Sequence, residues 1–338
     1  MKVGILTSGG DAPGINATIR GVGKAAINNY GMEVIGIQNG FSGLLYKDVV
    51  ALTDPSLSGI LNMGGTILGT AREKVFRKMI TSPDEKDREQ IKNAYNELEL
   101  DCLVCIGGNG TQRTTWMLSE LGLNVVGIPK TIDNDVYGTD VTFGFDTAVN
   151  IATEAIDRLH STASAHRRVM VIELMGHHAG WITLHAGMAG GADIILLPEL
   201  GYNMKVVISK INQRMEMGKA YSIVAVAEGI ELPVKERPAI YFAREIEAQT
   251  GYETRETVLG YIQRGGSPSP YDRNLGTLLG GHAAELIHEG KFGRMVAKIG
   301  TDITDVPLSE VSGKLRLVTP DNQLVAQGKR MGISFGVG

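Results

Sequence analysis

The sequence predicts an α/β fold of two similar three-layer lobes, with mainly parallel sheets and an active-site cleft between them. Three observations lead there. Short apolar runs end repeatedly in glycine-rich turns, and helical stretches follow those turns, as in parallel strands joined by crossover helices. The pattern starts afresh after Asp135. No stretch rich in proline, serine or charge separates the halves, so the lobes are expected to be tightly joined. A length of 338 residues suits one large or two medium α/β domains.

The elements follow in order. Val3–Thr7 reads as a short buried strand, Ser8–Gly14 as a glycine-rich turn, and a helix starts at Ile15. Strand, glycine turn, helix is the layout of a phosphate cradle: small residues let N–H groups approach oxygens, and the helix dipole favours negative charge. The same layout also occurs in α/β turns that bind nothing. Glu33–Ile37 reads as a second strand, with Asn39-Gly40 as a turn signal. Gly64 to Arg72 is another glycine-rich loop, ending on an arginine whose fork of donors suits a phosphate. Residues 83 to 97 are charged and amphipathic and predict a helix. Asp101–Ile106 predicts a strand running into Gly107-Gly108-Asn109-Gly110-Thr111, with a helix from about Thr115. Val125–Ile128 is a buried strand. Beyond it, Thr147–His160 reads as helix, Arg168–Leu174 as strand, Asp193–Pro198 as strand, Val206–Met217 as helix and Ser222–Gly229 as strand.

Composition narrows the function classes. Hydrophobic residues are 43% and charged residues 21%, ordinary values for a soluble globular protein. The net charge of −4 argues against general affinity for nucleic acid or membrane surfaces, so anion binding must come from local clusters. Cys102 and Cys105 lie three apart in one strand, on opposite faces, which argues against a metal or redox pair. A reducing cytoplasm fits, and no run is long enough for a membrane span. His177 and His178 are adjacent and would face different ways on a regular element, a poor spacing for a two-histidine metal site.

The chemistry is expected at Pro129-Lys130-Thr131-Ile132-Asp133-Asn134-Asp135, past the carboxyl end of the strand at 125–128. Open parallel sheets bind ligands there. In an extended segment Asp133 and Asp135 share one face. One carboxylate can take a proton from a hydroxyl while the other holds a hard cation such as Mg²⁺. Lys130 and Thr131 would offer a positive charge and a hydroxyl to a phosphate. Asp and Asn are also common in plain surface turns. Arginines gather later, at Arg255, Arg264 and Arg273, and Arg264 lies beside the turn Gly265-Gly266.

Gly9-Gly10-Asp11-Ala12-Pro13-Gly14, Gly107 to Thr111, Pro129 to Asp135, Met175-Gly176-His177 and Gln263-Arg264-Gly265-Gly266 occur in this order. Together they resemble the 6-phosphofructokinase family, over nearly the whole chain to about Arg273, with the tail beyond residue 300 matching least. The resemblance implies Mg²⁺-dependent phosphorylation of the 1-hydroxyl of fructose 6-phosphate, in the cytoplasm. It makes Asp133 the base, Asp135 a magnesium-linked carboxylate, and Thr131 a contact of the transferring phosphate. Lys130 and His177 join the catalytic set. Gly10, Arg72 and Gly108-Asn109-Gly110-Thr111 would hold the donor. Arg168, Met175, Gly176, His177, Glu228, Arg255, Tyr261 and Arg264, with Thr131 and Asp133, would hold the sugar phosphate. Residues 1–137 with about 258–305 would form the donor lobe, and 138–257 with about 306–338 the sugar lobe. Arg168 and Arg255 should come from a neighbouring subunit, which implies a homo-oligomer, most often a tetramer.

The chain also departs from the family's pattern. Asn109 stands where an aspartate usually helps bind magnesium; its amide oxygen is a weaker ligand. His177 replaces a frequent arginine, and Tyr261 a frequent histidine. Gly110 is the residue of ATP-using members, where an aspartate goes with pyrophosphate. Lys130 is frequent in pyrophosphate enzymes. A carboxylate at 110 would repel and obstruct a nucleotide phosphate, whereas Lys130 tolerates either donor, so ATP is the expected donor and pyrophosphate the alternative. A kinase of NAD or a lipid, and a non-catalytic sugar-phosphate sensor, are further alternatives; the latter would have lost Asp133. Regulated members carry cations around an effector pocket. Here Arg20, Lys24, Arg158 and Lys219 are available, but Asp54, His160 and Met217 stand where cations would be, so weak regulation is expected.

Overall fold

The computed structural model describes the chain except Arg72, Glu73, Ser82, Pro83 and Gly338, and the side chains of Lys74, Val75 and Arg77. The first stretch runs β1 (Lys2–Ser8), α1 (Ile15–Tyr30), β2 (Glu33–Ile37), α2 (Phe41–Tyr46) and β3 (Val49–Ala51). It continues through α3 (Lys74–Thr81), α4 (Glu85–Glu97), β4 (Cys102–Gly107), α5 (Asn109–Glu120) and β5 (Val125–Pro129). Then come α6 (Phe145–His166), β6 (Val169–Leu174), α7 (Trp181–Ala189), β7 (Ile194–Leu196), α8 (Met204–Glu216), β8 (Ser222–Ala227), α9 (Pro238–Thr250) and β9 (Thr254–Val258). The last are α10 (Pro270–His288), β10 (Arg294–Ile299), β11 (Asp302–Pro307), α11 (Leu308–Val311) and α12 (Gln323–Arg330).

Two compact units result. The first is Met1–Asp146 with Arg264–Arg316; the second is Thr147–Gln263 with Leu317–Gly338. The sequence reading drew its last boundary near 305. In the structure β11 pairs antiparallel with β10, from Arg294↔Pro307 to Ile299↔Asp302, and this hairpin keeps the chain on the first sheet past 305.

Among the described residues, seven strands form the first sheet in the order β11-β10-β5-β4-β1-β2-β3. The inner strands are parallel, and β3 and β11 close the edges antiparallel. Alternation along the strands builds two cores, one on each face. Val3, Ile5, Cys102, Val104 and Ile106 pack against Ile15 and Ile19 of α1 and Leu275 and Leu279 of α10. Leu6, Leu103 and Cys105 pack on the other side with Phe41, Phe76, Ile91 and Leu118. Cys102 and Cys105 therefore do face opposite ways, and both are free buried thiols. Burial pushes both thiols up, Cys105 to about 12, so they behave as core residues.

The second unit is a parallel sheet in the order β7-β8-β6-β9. Val169, Val171, Ile194, Leu196, Val224 and Val226 meet α8 and α9 on one face. Helix α7 packs on the other, where Gly187 lies against Ile195 and Ala225. Among the described residues no helix is long and apolar enough to cross a membrane.

Candidate active site

The first unit gathers its polar residues at the carboxyl ends of β1, β4 and β5. Past β1, Gly9 takes φ 87° and Gly14 takes φ 99°, turning the chain into α1. Gly10 lies close under Arg264: a Cβ there would lie 2.8 Å from Nη1, so the tip of the arginine would have to shift. That nitrogen donates to the Asp11 carbonyl at 3.0 Å. Arg264, expected among the sugar-phosphate residues, thus sits against the glycine loop of the first unit.

Helix α5 begins at Asn109, about six residues before the expected start. Gly108 is its N-cap in extended conformation, so Asn109, Gly110 and Thr111 form the first turn. Their backbone N–H groups are among those that a helix leaves without internal partners, and they favour an anion. Thr111 Oγ1 donates to the Ser8 carbonyl at 3.3 Å, tying this turn to the β1 loop. Gln112 donates to the carbonyls of Gly107 and Ile128, locking the ends of β4 and β5 together. Arg72 lies outside the described residues.

Lys130 is buried, and its Nζ donates to the carbonyls of Ser8 (3.2 Å) and Gly10. Two bonds of this ammonium go to the glycine loop and fix its shape. The lysine follows β5, which sits two strands from β1, and its stem spans that distance.

The segment 131–135 is not extended. Asn134 adopts φ 54°, so the simple alternation of Asp133 and Asp135 does not apply. A tight turn presents the carboxylates instead. Thr131 Oγ1 accepts from the Asp133 N–H at 3.1 Å, Asn134 Oδ1 accepts from the Thr142 N–H at 3.0 Å, and Thr142 Oγ1 donates to the Thr131 carbonyl at 2.8 Å. Burial, and then the charge of Asp133, push the Asp135 carboxyl up to about 7. Asn109 Nδ2 approaches the Asp135 carbonyl at 3.4 Å. Oδ1 of Asn109 and Oδ1 of Asp135 are both buried without a hydrogen-bond partner. Two orphaned hard oxygens beside an excess of buried negative charge fit a divalent metal shared with substrate phosphates.

The second unit gathers Met175, Gly176, His177 and Glu228 at the carboxyl ends of β6 and β8. Glu228 Oε1 accepts from the N–H groups of Gly176 (3.3 Å) and His177 (3.0 Å). Gln263 Oε1 accepts from the Met175 N–H at 3.3 Å. His177 has φ 51°, and its ring meets that of His178 edge-on at 3.9 Å. The two histidines therefore touch rather than diverge, because they sit in a turn. Tyr261 stands exposed in the 3₁₀ turn Gly260–Arg264.

Arg168 and Arg255 are elsewhere. Arg168 precedes β6 and Arg255 is the second residue of β9, at the opposite end of the sheet. Six residues of strand at about 3.3 Å each put roughly 20 Å between them and the Met175–His177 turn. Both bind Oε1 of Glu253, at 2.8 Å from Arg168 and 2.5 Å from Arg255. The bond to Arg168 holds the Glu253 carboxyl below its usual range.

Two of the cations considered for an effector pocket, Lys24 and Arg158, are paired within their own units. Lys24 Nζ bonds Asp54 Oδ1 at 2.6 Å, which lowers the Asp54 pKa, and Arg158 pairs with Glu154. His160 binds Tyr221 Oη (3.0 Å) and the Gly190 carbonyl (2.6 Å).

Three residues that build the turn at 131–135 carried no expected role: Asn134, Thr142 and Arg316. Asn134 had a signal, because asparagine tolerates the left-handed region. Thr142 and Arg316 had none, since they act from distant sequence.

Glycine turns and a helix start at the ends of parallel strands, beside two buried aspartates, define an α/β phosphotransferase. The chain belongs to the phosphofructokinase family, whose model, described as "Phosphofructokinase", matches residues 2–287. It is 64% identical to an ATP-dependent 6-phosphofructokinase 3 of Bacteroides thetaiotaomicron, over 99% of this chain and 100% of that one. It is 44% identical to a pyrophosphate–fructose 6-phosphate 1-phosphotransferase of Streptomyces coelicolor, over 99% and 100%. Among solved structures, the phosphofructokinase of Saccharomyces cerevisiae superposes with a TM-score of 0.81 at 31% identity; the match covers 92% of this chain and 45% of the yeast chain.

Proposed function

We propose that this protein is an ATP-dependent 6-phosphofructokinase of glycolysis. It transfers the γ-phosphoryl group of ATP to the 1-hydroxyl of fructose 6-phosphate, giving fructose 1,6-bisphosphate and ADP. One observation carries the reading: Asp133 and Asp135 are buried together at the end of β5, in the same unit as the glycine-led first turn of α5. The 64% identity to an enzyme of that name supports it over the full length.

Asp133 accepts the proton of the 1-hydroxyl as its oxygen bonds to the γ-phosphorus and the bond to the β–γ bridging oxygen breaks. The Thr131 hydroxyl fixes the Asp133 backbone and lies beside the transferring group. Gly10 and the N–H groups of Gly108 to Thr111 receive the donor phosphates. Asp135 Oδ1 and Asn109 Oδ1 would hold Mg²⁺, which when bound neutralises charge on those phosphates. Met175, Gly176, His177, Glu228 and Tyr261 receive the sugar phosphate in the second unit.

Arg168 and Arg255 lie too far from that group to act on the same sugar phosphate. A neighbouring copy supplies them in this reading, which makes the working molecule a homo-oligomer, in the family's usual form a tetramer, acting in the cytoplasm. Arg264 lies against the donor loop within the first unit.

Pyrophosphate as donor is the second reading, favoured by Lys130 and by the relative of that name. Lys130 bonds loop carbonyls, so its presence does not itself select pyrophosphate. Assay of purified protein with fructose 6-phosphate and Mg²⁺, offering ATP or pyrophosphate, decides. Turnover with ATP is expected. Saturation by micromolar pyrophosphate with no use of ATP overturns the donor, and no turnover with either makes the protein a sensor.

A further inference from the structure

The C-terminal segment reaches back to the catalytic turn. Leu315 pairs with Val136 in an antiparallel bridge. The N–H of Arg316 donates to the Asp135 carbonyl at 2.9 Å. Its Nη1 donates to the Asn134 carbonyl at 3.2 Å. The second bond lands on the peptide between the two carboxylates, and the first on the carbonyl just past Asp135. They come from beyond residue 287, where the family match ends.

The turn needs such a hold. Asn134 is left-handed; asparagine tolerates that region better than other residues with a Cβ, but tolerance alone does not fix the orientation of the peptides on either side. Thr142 holds the Asn134 side chain from one direction. Arg316 holds the Asn134 and Asp135 carbonyls from another. A small rotation of the 134–135 peptide would swing Asp135 Oδ1 away from Asn109 Oδ1 and re-aim Asp133.

We propose that Arg316 is a positioning residue for phosphoryl transfer, and that the segment Leu315–Arg316 is a strap setting the separation of base and metal-linked carboxylate. The proposal rests on the roles given above to Asp133 and Asp135. The guanidinium is half-buried and delivers a charged donor to a carbonyl, the stronger kind of hydrogen bond. Lysine carries the charge on a flexible stem without the planar fork, so it replaces arginine only in part.

The test compares full-length wild type with Arg316→Ala and Arg316→Lys. In Arg316→Ala, kcat should fall about tenfold or more, with KM for fructose 6-phosphate within about twofold, since misplacement of the reacting groups acts on the chemical step. Mn²⁺ titrated alone and followed by electron paramagnetic resonance should bind several-fold more weakly. Arg316→Lys should recover part of both losses. A lower melting temperature with unchanged kcat and Mn²⁺ binding would make Arg316 a packing residue and overturn the proposal. Should Arg316→Ala not fold, Arg316→Lys decides alone: wild-type kcat and Mn²⁺ affinity overturn it, and reduced values at unchanged KM support it. Wild-type protein that fails to phosphorylate fructose 6-phosphate counts against the functional reading, while the Mn²⁺ comparison still judges Arg316.

Discussion

At the scale of single residues, what a side chain does here depends on where its neighbours point. Lys130 and Asp133 stand in one heptapeptide, yet one ties down a loop and the other is the base we propose. Replacing Asp133 by serine should lower kcat by about 10²–10⁴ while KM for fructose 6-phosphate stays within a few-fold, because proton abstraction acts in the transition state. A near-normal kcat in that variant would remove Asp133 from the role of base. Gly110→Asp should raise KM for ATP far more than KM for the sugar phosphate, by adding a carboxylate in the first turn of α5. Equal rises in the two constants would show a general loosening of α5 and no donor selection at 110. The types and order of these residues were legible in the sequence because phosphate chemistry needs small residues and paired carboxylates close together. The bond of Lys130 to Ser8 was not legible, since it spans 122 positions and depends on strand order.

At the scale of elements, the strands were the easiest to read and the turns between them the hardest. A continuous apolar run such as Val125–Ile128 has little choice but a buried strand. Helix α5 was misplaced because Asn109 and Gly110 are poor helix formers, so propensity put the start near Thr115. The position at the end of β4 overrode propensity and turned these residues into a helix N-terminus. Residues 131–135 read as extended for a similar reason: the bonds that Thr142 and Arg316 make to the left-handed Asn134 come from outside the segment. Close approach of α1 and α10 sets the wall behind the donor loop. A Cβ at Gly280 would lie 2.7 Å from the Thr18 carbonyl and the Val22 nitrogen. Gly280→Val should therefore cost about 1–3 kcal/mol or more through overpacking. Calorimetry should show a melting temperature lower by several degrees, and an unchanged transition would mean that α10 moves aside freely.

At the scale of the whole molecule, two properties follow from how charges are distributed. The first is regulation. Lys24 is neutralised by Asp54 and Arg158 by Glu154, and His160 is engaged by Tyr221 and the Gly190 carbonyl. A phosphorylated effector would have to break such pairs before gaining its own, and phosphates are costly to desolvate unpaired. Near-hyperbolic dependence on fructose 6-phosphate is expected, with little response to about millimolar ADP or phosphoenolpyruvate, where a working site coupled by about 1–3 kcal/mol would shift half-saturation several-fold. A sigmoidal curve relieved by ADP would show that other residues supply the charge. The second property is sharing of the site. Asp133 lies in the first unit, while Arg168 and Arg255 lie at the far end of the second sheet, roughly 20 Å from the Met175–His177 turn. If a copy lends its arginines to a neighbour, a subunit lacking its base can still donate arginines, and a subunit lacking arginines can still use its base. Asp133→Ser and Arg255→Ala homo-oligomers should each be nearly inactive. Hybrids made by dissociating and reassociating the two together should regain activity, because some of their sites combine an intact Asp133 with an intact Arg255. The recovered fraction should rise to a maximum at equal mixing and fall toward either pure variant. Mixtures with no more activity than the average of the two parents would mean that each chain completes its own site.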